Sequence, residues 1–129
     1  MREGYLYIDS NIFPTYLAIS SQEQQQGLMH VDWPPPVMAF VYAAPQVNKF
    51  WMKNTPSPLD IVFCCSGEIV DICKGEPYCT STIGNKYSDL VIELPYGTIS
   101  KLGIVEKHKA GIITPKANEL RQIFGQLKL

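Results

Sequence analysis

The sequence lacks the short signatures that identify most enzymes and membrane proteins. It has no G-x-S-x-G nucleophile motif, no phosphate-binding loop, no dinucleotide fingerprint and no H-E-x-x-H metal motif. No run approaches the roughly 18 apolar residues of a membrane-spanning helix. The start, MREGYLYIDS, has no basic segment followed by an apolar run and a cleavage site. We therefore expect no membrane segment, no signal peptide, no metal and no cofactor.

Charge is also scarce. Asp, Glu, Lys and Arg make up 18% of the 129 residues, and the net charge is −1. A typical domain carries roughly 25% charged residues. This composition excludes a global basic field for nucleic acid. The charge is unevenly divided, because residues 1–100 carry 5 basic and 10 acidic residues, whereas residues 101–129 carry 6 basic and 2 acidic ones.

Proline excludes long helices from most of the chain. Nine of the 10 prolines fall between Pro14 and Pro95. Proline breaks helix interiors and is confined to the edges and ends of strands. Together with a length typical of one domain, this distribution predicts a single, mainly β (α+β) domain with short strands.

Seven segments predict strands: GYLYI, IFPTYLAI, VMAFVY, KFWMKNT, LDIVFCC, EIVDIC and DLVIELP. Ser66-Gly67 predicts a two-residue hairpin turn between LDIVFCC and EIVDIC. A short helix is expected after the first strands, with Ser20 or Ser21 as its N-cap and Gly27 at its end. The segment YGTISKLGI predicts a second helical turn, and KGEPYCTSTIGNKYS predicts a long surface loop.

The C-terminal tail predicts an amphipathic helix. Thr114 can cap it, and Pro115 would occupy the first helical position. Four apolar residues of one face are interface candidates: Leu120, Ile123, Phe124 and Leu127. We therefore divide the chain into a β-rich domain of residues 1–110 and a helical extension of residues 111–129 that packs on the domain or on a partner.

The densest chemistry lies in the stretch FWMKNTPSPLDIVF. Trp51, Lys53, Asn54, Thr55 and Asp60 are candidate ligand-binding residues. A cation, an amide and a carboxylate would stand there beside an aromatic wall. We expect Lys53 to meet Asp60 where the chain doubles back across the proline loop. In the alternative interpretation these polar groups only satisfy one another and the loop backbone.

The cysteines and histidines form no comparable cluster. Cys64 and Cys65 are adjacent, so they should point to opposite faces of a strand. No C-x-x-C pair or metal-like spacing is present. We expect small core or surface residues, with a disulfide compatible but not implied. His30 and His108 are not placed together, which favours ordinary solvated or capping roles.

Four segments in a fixed order carry a resemblance to a known family. They are GLM at 27–29, FWMKNTPSPLDIVF at 50–63, SGEIVDI at 66–72 and VIELPYGTISKLGI at 91–104. They resemble the "domain of unknown function 192" family of small bacterial, archaeal and phage-encoded proteins. The resemblance implies a compact, barrel-like antiparallel β domain with a short helix after the first strands. It implies no established activity.

The sequence departs from the family pattern in three places. Many members begin with a secretion signal, which this chain lacks. The turn CCSGE is short where members commonly carry an acidic turn, so acidic turn residues are assigned no role. Members commonly end soon after a Val-Gly-Asp-like strand that follows the LGI segment, whereas this region reads VEKHKAGIITPKANELRQIFGQL here and forms a basic, amphipathic extension. We expect a cytoplasmic protein or a phage-encoded virion component.

Two classes of function remain open. The first is a non-catalytic binding or assembly module, such as a phage virion component, that contacts a protein partner or a second copy through the C-terminal helix. The alternative is a hydrolase-type enzyme that uses a Lys53/Asp60 pocket beside Trp51. Nucleic-acid contact through the basic tail is disfavoured, because the few phosphate contacts available would be lost as salt rises.

Overall fold

Seven strands and two short helices account for the regular structure of residues 2–113, the part of the chain that the computed structural model describes. The elements are β1 (Arg2–Ile8), β2 (Asn11–Ala18), α1 (Ser21–Gln26), β3 (Met38–Val47), β4 (Leu59–Cys65), β5 (Glu68–Gly75), β6 (Tyr87–Pro95), α2 (Thr98–Leu102) and β7 (Ala110–Ile113). The strands form one sheet in the order β5-β4-β6-β3-β2-β1-β7. The prediction of a mainly β fold is confirmed, and the sheet is a curled half-barrel.

The two edges of this sheet are tied together. The amide of Ile69, in β5, donates to the carbonyl of His108 at 2.9 Å, and the amide of Lys107 donates to the carbonyl of Ile69 at 2.8 Å. The amide of Ala110 donates to the carbonyl of Gly67 at 3.0 Å. These bonds join the tip of the β4–β5 hairpin to the segment that leads into β7. The curl is therefore fixed by backbone hydrogen bonds at one end of the half-barrel.

Apolar side chains pack on both faces of the central strands. In β4, Ile61 and Phe63 belong to one cluster and Val62 and Cys64 to the other, as strand alternation requires. The inner cluster lies inside the curl and draws on both ends of the sheet: Leu6, Ile8, Ala39, Val62, Cys64, Ile69, Leu90, Ile92, Leu94, Ile99, Ile104 and Ala110. The outer cluster lies on the opposite face: Ala18, Leu28, Met38, Phe40, Met52, Leu59, Ile61, Phe63 and Val91.

The helix α1 is anchored across the outer face. Ser20 is its N-cap and forms a reciprocal capping box with Glu23, and Gly27 is its C-cap, as predicted. The Nε2 atom of Gln24 donates to the carbonyls of Ala18 at 3.1 Å and Val41 at 2.9 Å. Because these carbonyls belong to β2 and β3, one side chain holds the helix across two strands.

The hairpin between β4 and β5 is also confirmed. Ser66 and Gly67 form its turn with φ values of 51° and 82°, the positive values that a two-residue turn of this kind requires. Cys64 is buried, whereas Cys65 is half-buried on the other face. All four cysteines are free thiols.

Two strand expectations need correction. The segment KFWMKNT is not a strand, because its β-pairing consists of one isolated bridge between Phe50 and Ile83. Phe50 packs against the outer cluster, Met52 belongs to it, and Trp51 is exposed. The sheet is also not wholly antiparallel, since β2 and β3 pair in parallel through Tyr16 and Met38. Parallel neighbours need a crossover connection, which α1 and the proline loop supply.

The C-terminal boundary also differs from the expectation. β7 pairs with β1 through Ile113 opposite Tyr5, so residues 111–113 belong to the sheet and not to an extension. This strand was absent from the sequence-based prediction. The remainder of the predicted amphipathic helix, with its four interface candidates Leu120, Ile123, Phe124 and Leu127, lies outside the described residues. Within residues 2–113, none of the helices has the length and apolar character needed to cross a membrane.

The close packing of Gly84 gives a test of the fold. A Cβ at this position would lie 2.6 Å from Cζ of Phe63 and 2.8 Å from the backbone oxygen of Asn48, and φ is +94°. We expect Gly84→Ala to lower the free energy of unfolding by about 3 kcal/mol, measured by urea denaturation. The control Gly67→Ala has φ +82° but no neighbour within 4 Å, so it should cost only about 1 kcal/mol. Equal losses would contradict this packing.

Candidate functional site

A groove lies over the outer cluster, between α1 and residues 49–55. Its deeper part is a cavity of about 270 Å³. It adjoins a more open recess of about 340 Å³, and both are lined by Gln25, Gln26, Met29 and Trp51. The other residues of the deeper part are Gln24, Gly27, Leu28, Phe40, Tyr42, Lys49, Phe50, Thr55 and Glu93.

Backbone hydrogen bonds hold the wall formed by residues 50–55. The amide of Phe50 donates to Ile83 at 2.9 Å, and that of Ile83 donates back at 2.7 Å. The amide of Met52 donates to Cys79 at 2.8 Å. Trp51 is 46% exposed, whereas Met52 is fully buried. The wall therefore packs on the sheet through Met52 and presents Trp51 to the groove.

Aromatic rings and a close glycine shape the floor. Phe50 contacts Phe40 edge-on, with ring centroids 4.9 Å apart, and it contacts Phe63 in the same way at 5.8 Å. Gly27 ends α1 with φ +49°, and a Cβ there would lie 3.4 Å from Cζ of Phe40 and 3.8 Å from Oε1 of Glu93. The positive φ favours glycine at this position, and the two distances place the end of α1 beside the floor.

Glu93 provides the one buried carboxyl of the groove among the residues described. It lies on β6 opposite Met38 of β3 and Ile61 of β4, and its side chain is on the outer face with Val91. It is 4% exposed. No described residue donates a hydrogen bond to the Glu93 carboxyl. Within residues 2–113, every side-chain oxygen or nitrogen that is fully enclosed has a hydrogen-bond partner. The Glu93 oxygens are therefore not fully enclosed, and they face the cavity that Glu93 lines.

Burial controls the ionisation of this part of the groove. It raises the pKa of Glu93 to about 8, because a charged carboxylate loses its hydration there. Burial also raises the pKa of Tyr42 to about 12, with a smaller contribution from the charge of Glu93. At neutral pH the Glu93 carboxyl is therefore mostly protonated in the protein by itself. It can then donate a hydrogen bond as well as accept one.

Four of the five sequence-predicted site residues line this groove. Trp51 and Thr55 face the cavity, and Trp51, Lys53 and Asn54 line the recess. The Nζ atom of Lys53 lies 5.2 Å from the centroid of the Trp51 ring, within the range of a cation–π interaction. Thr55 is buried, and its hydroxyl donates to the carbonyl of Lys53 at 3.1 Å.

Asp60 is not part of the groove. Its Oδ2 atom accepts hydrogen bonds from the amides of Gly97 and Ile99, both at 3.0 Å, at the start of α2. Asp60 alternates with Ile61 on β4, so it faces the inner cluster, whereas Lys53 lies over the outer one. The expected pairing of Lys53 with Asp60 is therefore not formed among the described residues, because the sheet separates the two side chains.

Sequence reasoning did not identify Glu93, Tyr42, Lys49 or the glutamines of α1 as site residues. One signal was available for Glu93, since it is the single charge within the apolar run VIEL. A charge in the middle of a buried strand is uncommon and needs a partner or a function. The glutamines carried no such signal, because they are ordinary residues of a surface helix.

A curled β half-barrel with a buried carboxyl in a surface groove is the class of protein that this fold and site define. The chain belongs to the DUF192 family, described as "Uncharacterized ACR", whose model matches residues 7–112. The family resemblance is therefore confirmed. No curated protein matches the chain.

Two solved structures share the fold. A protein of unknown function from Novosphingobium aromaticivorans DSM 12444 is 27% identical, with a TM-score of 0.79 and 84% of each chain covered. A candidate transcription regulator from Sinorhizobium meliloti 1021 is 26% identical, with a TM-score of 0.80, covering 86% of this chain and 94% of that chain. Their descriptions name no ligand.

The different positions of Asp60 and Lys53 predict different effects on stability. Asp60→Ala leaves the amides of Gly97 and Ile99 without their acceptor, so we expect it to lower the free energy of unfolding by about 2–3 kcal/mol. Lys53 is exposed, so Lys53→Ala should change it by no more than about 0.5 kcal/mol. Urea denaturation of both variants is the measurement. A large loss in Lys53→Ala would restore the interpretation of a shared polar network.

The raised pKa of Glu93 predicts a pH dependence of stability. The pKa is 4.5 for an ordinary Glu and about 8 in the folded protein, so the folded state binds more protons than the unfolded state between these values. Stability should therefore fall as pH rises from 4.5 to about 8. Glu93→Gln should remove this decline and increase stability near pH 8 by on the order of 4 kcal/mol. Glu106→Gln, at an exposed position, is the control for replacing a Glu by Gln. Parallel pH profiles of stability for wild type and Glu93→Gln would refute the raised pKa of Glu93.

Proposed function

We propose that the protein is a non-catalytic binding protein whose groove receives a small organic ligand that hydrogen bonds to Glu93. One observation carries the proposal. Glu93 is 4% exposed, and its carboxyl faces a cavity of about 270 Å³ and accepts no hydrogen bond from any described residue. Buried polar groups in folded proteins nearly always have partners. A ligand donor is the partner that this geometry accommodates.

The groove combines aromatic and polar linings. Its floor and one wall are aromatic, through Phe40, Phe50 and Trp51, and the rest of the lining is mainly polar. Aromatic walls together with polar groups that orient a ligand are features of small-molecule sites. The α1 side is held by hydrogen bonds of Gln24 and the opposite side by those of residues 50–55. Both walls are thus fixed by the protein itself.

The hydrolase alternative loses its support. It required Lys53 and Asp60 in one pocket beside Trp51, but Asp60 is bound to the amides of α2 on the other face of the sheet. Lys53 instead approaches the Trp51 ring. A binding function that uses Trp51, Lys53, Asn54 and Thr55 needs no contribution from Asp60.

The other interaction hypotheses remain predictions. Contact with a protein partner or a second copy, and a role in a virion, were assigned to the helix predicted for residues 111–129, most of which lies outside the described residues. For nucleic acid, residues 2–113 carry 8 basic and 11 acidic side chains. That balance does not favour binding to a phosphate backbone.

Ligand binding in the groove can be tested by a fragment screen on the full chain. We expect some members of a library of neutral, cationic and anionic fragments to shift the amide resonances of Gly27, Phe40 and Glu93 in NMR spectra. Gln25 is exposed and lines both parts of the groove, so Gln25→Trp should fill it and reduce the affinity of these fragments at least about tenfold.

The matched control is Lys101→Trp. Lys101 is exposed on α2, and α2 packs against the inner cluster through Ile99. It should leave fragment binding unchanged. The proposal fails if no fragment shifts the groove resonances, or if Gln25→Trp and Lys101→Trp bind the fragments equally well.

A further inference from the structure

The groove places one acidic side chain and two basic side chains at different depths. Glu93 lies at the floor and is buried, whereas Lys49 lines the same cavity but is exposed at its rim. Lys53 is exposed on the adjoining recess. Neither lysine forms an ion pair with any carboxylate of the described residues. A ligand therefore meets cationic groups at the entrance and an acidic group at the bottom.

The walls next to Glu93 suit a positively charged group. Phe40, Tyr42, Phe50 and Trp51 line the cavity, and the faces of such rings attract cations. The Trp51 ring already has an ammonium group 5.2 Å from its centroid, that of Lys53. Aromatic side chains beside one acidic group are a general arrangement for binding an ammonium ion.

The remaining polar groups are neutral. The Nε2 atom of Gln24 is engaged with two backbone carbonyls, which leaves its amide oxygen as an acceptor. Gln25 and Gln26 are exposed on the α1 wall. None of these groups is titratable, so Glu93 and the two lysines are the groups that can form an ion pair with a ligand in the groove.

We propose, resting on the proposed function, that the ligand is a small zwitterion of the amino-acid type, with its ammonium group at Glu93 and its carboxylate at Lys49. The ammonium donates the hydrogen bonds that Glu93 lacks within the described residues. The carboxylate stays near the solvent, where Lys49 pairs with it. A simple amine would pair only with Glu93 at the floor, and a simple carboxylate would pair only with Lys49 at the rim.

Binding of an ammonium group should release a proton. The groups that face Glu93 are Tyr42 from β3, Lys49 from the opposite wall and the uncharged glutamines of α1. The pKa of Glu93 is about 8 in the protein by itself, and a cation beside it favours the carboxylate form. At about pH 7, binding should therefore release close to one proton per ligand. A structural role for Glu93 would produce no such release.

The test is calorimetric titration of the full chain with ω-amino acids from glycine to 6-aminohexanoate. The length-matched probes are butylammonium, butyrate and butyramide. We expect the best amino acid to bind at least about tenfold more tightly than any of these three. Repeating the titration in buffers of different ionisation enthalpy measures the released proton.

Two variants separate the two ends of the ligand. Glu93→Gln keeps the size of the side chain and should weaken amino-acid binding at least about tenfold and abolish proton release. Lys49→Gln should weaken amino-acid binding but leave butylammonium binding unchanged. Both residues can be changed without removing a hydrogen bond of the described fold, and circular dichroism checks that the variants fold.

The outcomes distinguish this inference from the proposed function. If butyrate or butyramide binds as tightly as the amino acids, or if Glu93→Gln binds amino acids like wild type, the zwitterion assignment is wrong although the groove still binds ligands. If none of the probes binds below about 10 mM while fragments of other chemistry bind in the groove, the ligand class is wrong and the proposed function stands. If neither probes nor fragments bind, both proposals fail.

Discussion

Packing on both faces of the central strands is the constraint on which the rest of the structure depends. β3, β4 and β6 have apolar neighbours inside the curl and outside it, so their buried polar side chains, such as Asp60 and Glu93, lie among packed apolar groups. Each polar group must find a partner on its own face. Asp60 does so inside the curl, where two amides of α2 reach it. Glu93 faces outward and has no equivalent donor within residues 2–113.

The groove exists because its cover is not part of the sheet. α1 and residues 50–55 lie over the outer face, and each is fixed mainly by contacts to the backbone, through Gln24 on one side and the bonds of Phe50 and Met52 on the other. The exposed side chains that line the space, such as Gln25, Gln26 and Lys49, take no part in these bonds. Substitutions at these exposed positions should alter what binds more readily than they alter the fold.

The parts of the fold that depend on local chemistry could be predicted from the sequence. The Ser66-Gly67 turn, the capping box at Ser20 and the strand LDIVFCC follow from neighbouring residues, and all three are present. The family resemblance added the curled sheet. β7 was not predictable in this way, because its four residues are held by pairing with β1 at the other end of the chain. The strand prediction for KFWMKNT was wrong because aromatic residues are as common in a segment that covers a sheet as in a strand.

The site shows the same limit. Trp51, Lys53, Asn54 and Thr55 could be found because they are close in sequence and chemically varied. Asp60 was grouped with them for its proximity along the chain, but one step of strand alternation places it on the opposite face. Glu93 is 38 residues beyond Thr55 in the sequence, and only the tertiary structure shows that the two line one cavity.

The tie between the edges of the sheet has a consequence for how the chain folds. The amide of Lys109 donates to the side chain of Asp9, 100 residues earlier, and β7 closes against β1 beside it. Contacts of such sequence separation carry a large loop-closure cost and slow folding. During synthesis, β1 and β2 leave the ribosome before the other strands, but the outer edge of β1 stays open until β7 has been made. The half-barrel can therefore be completed only after β7 has left the ribosome.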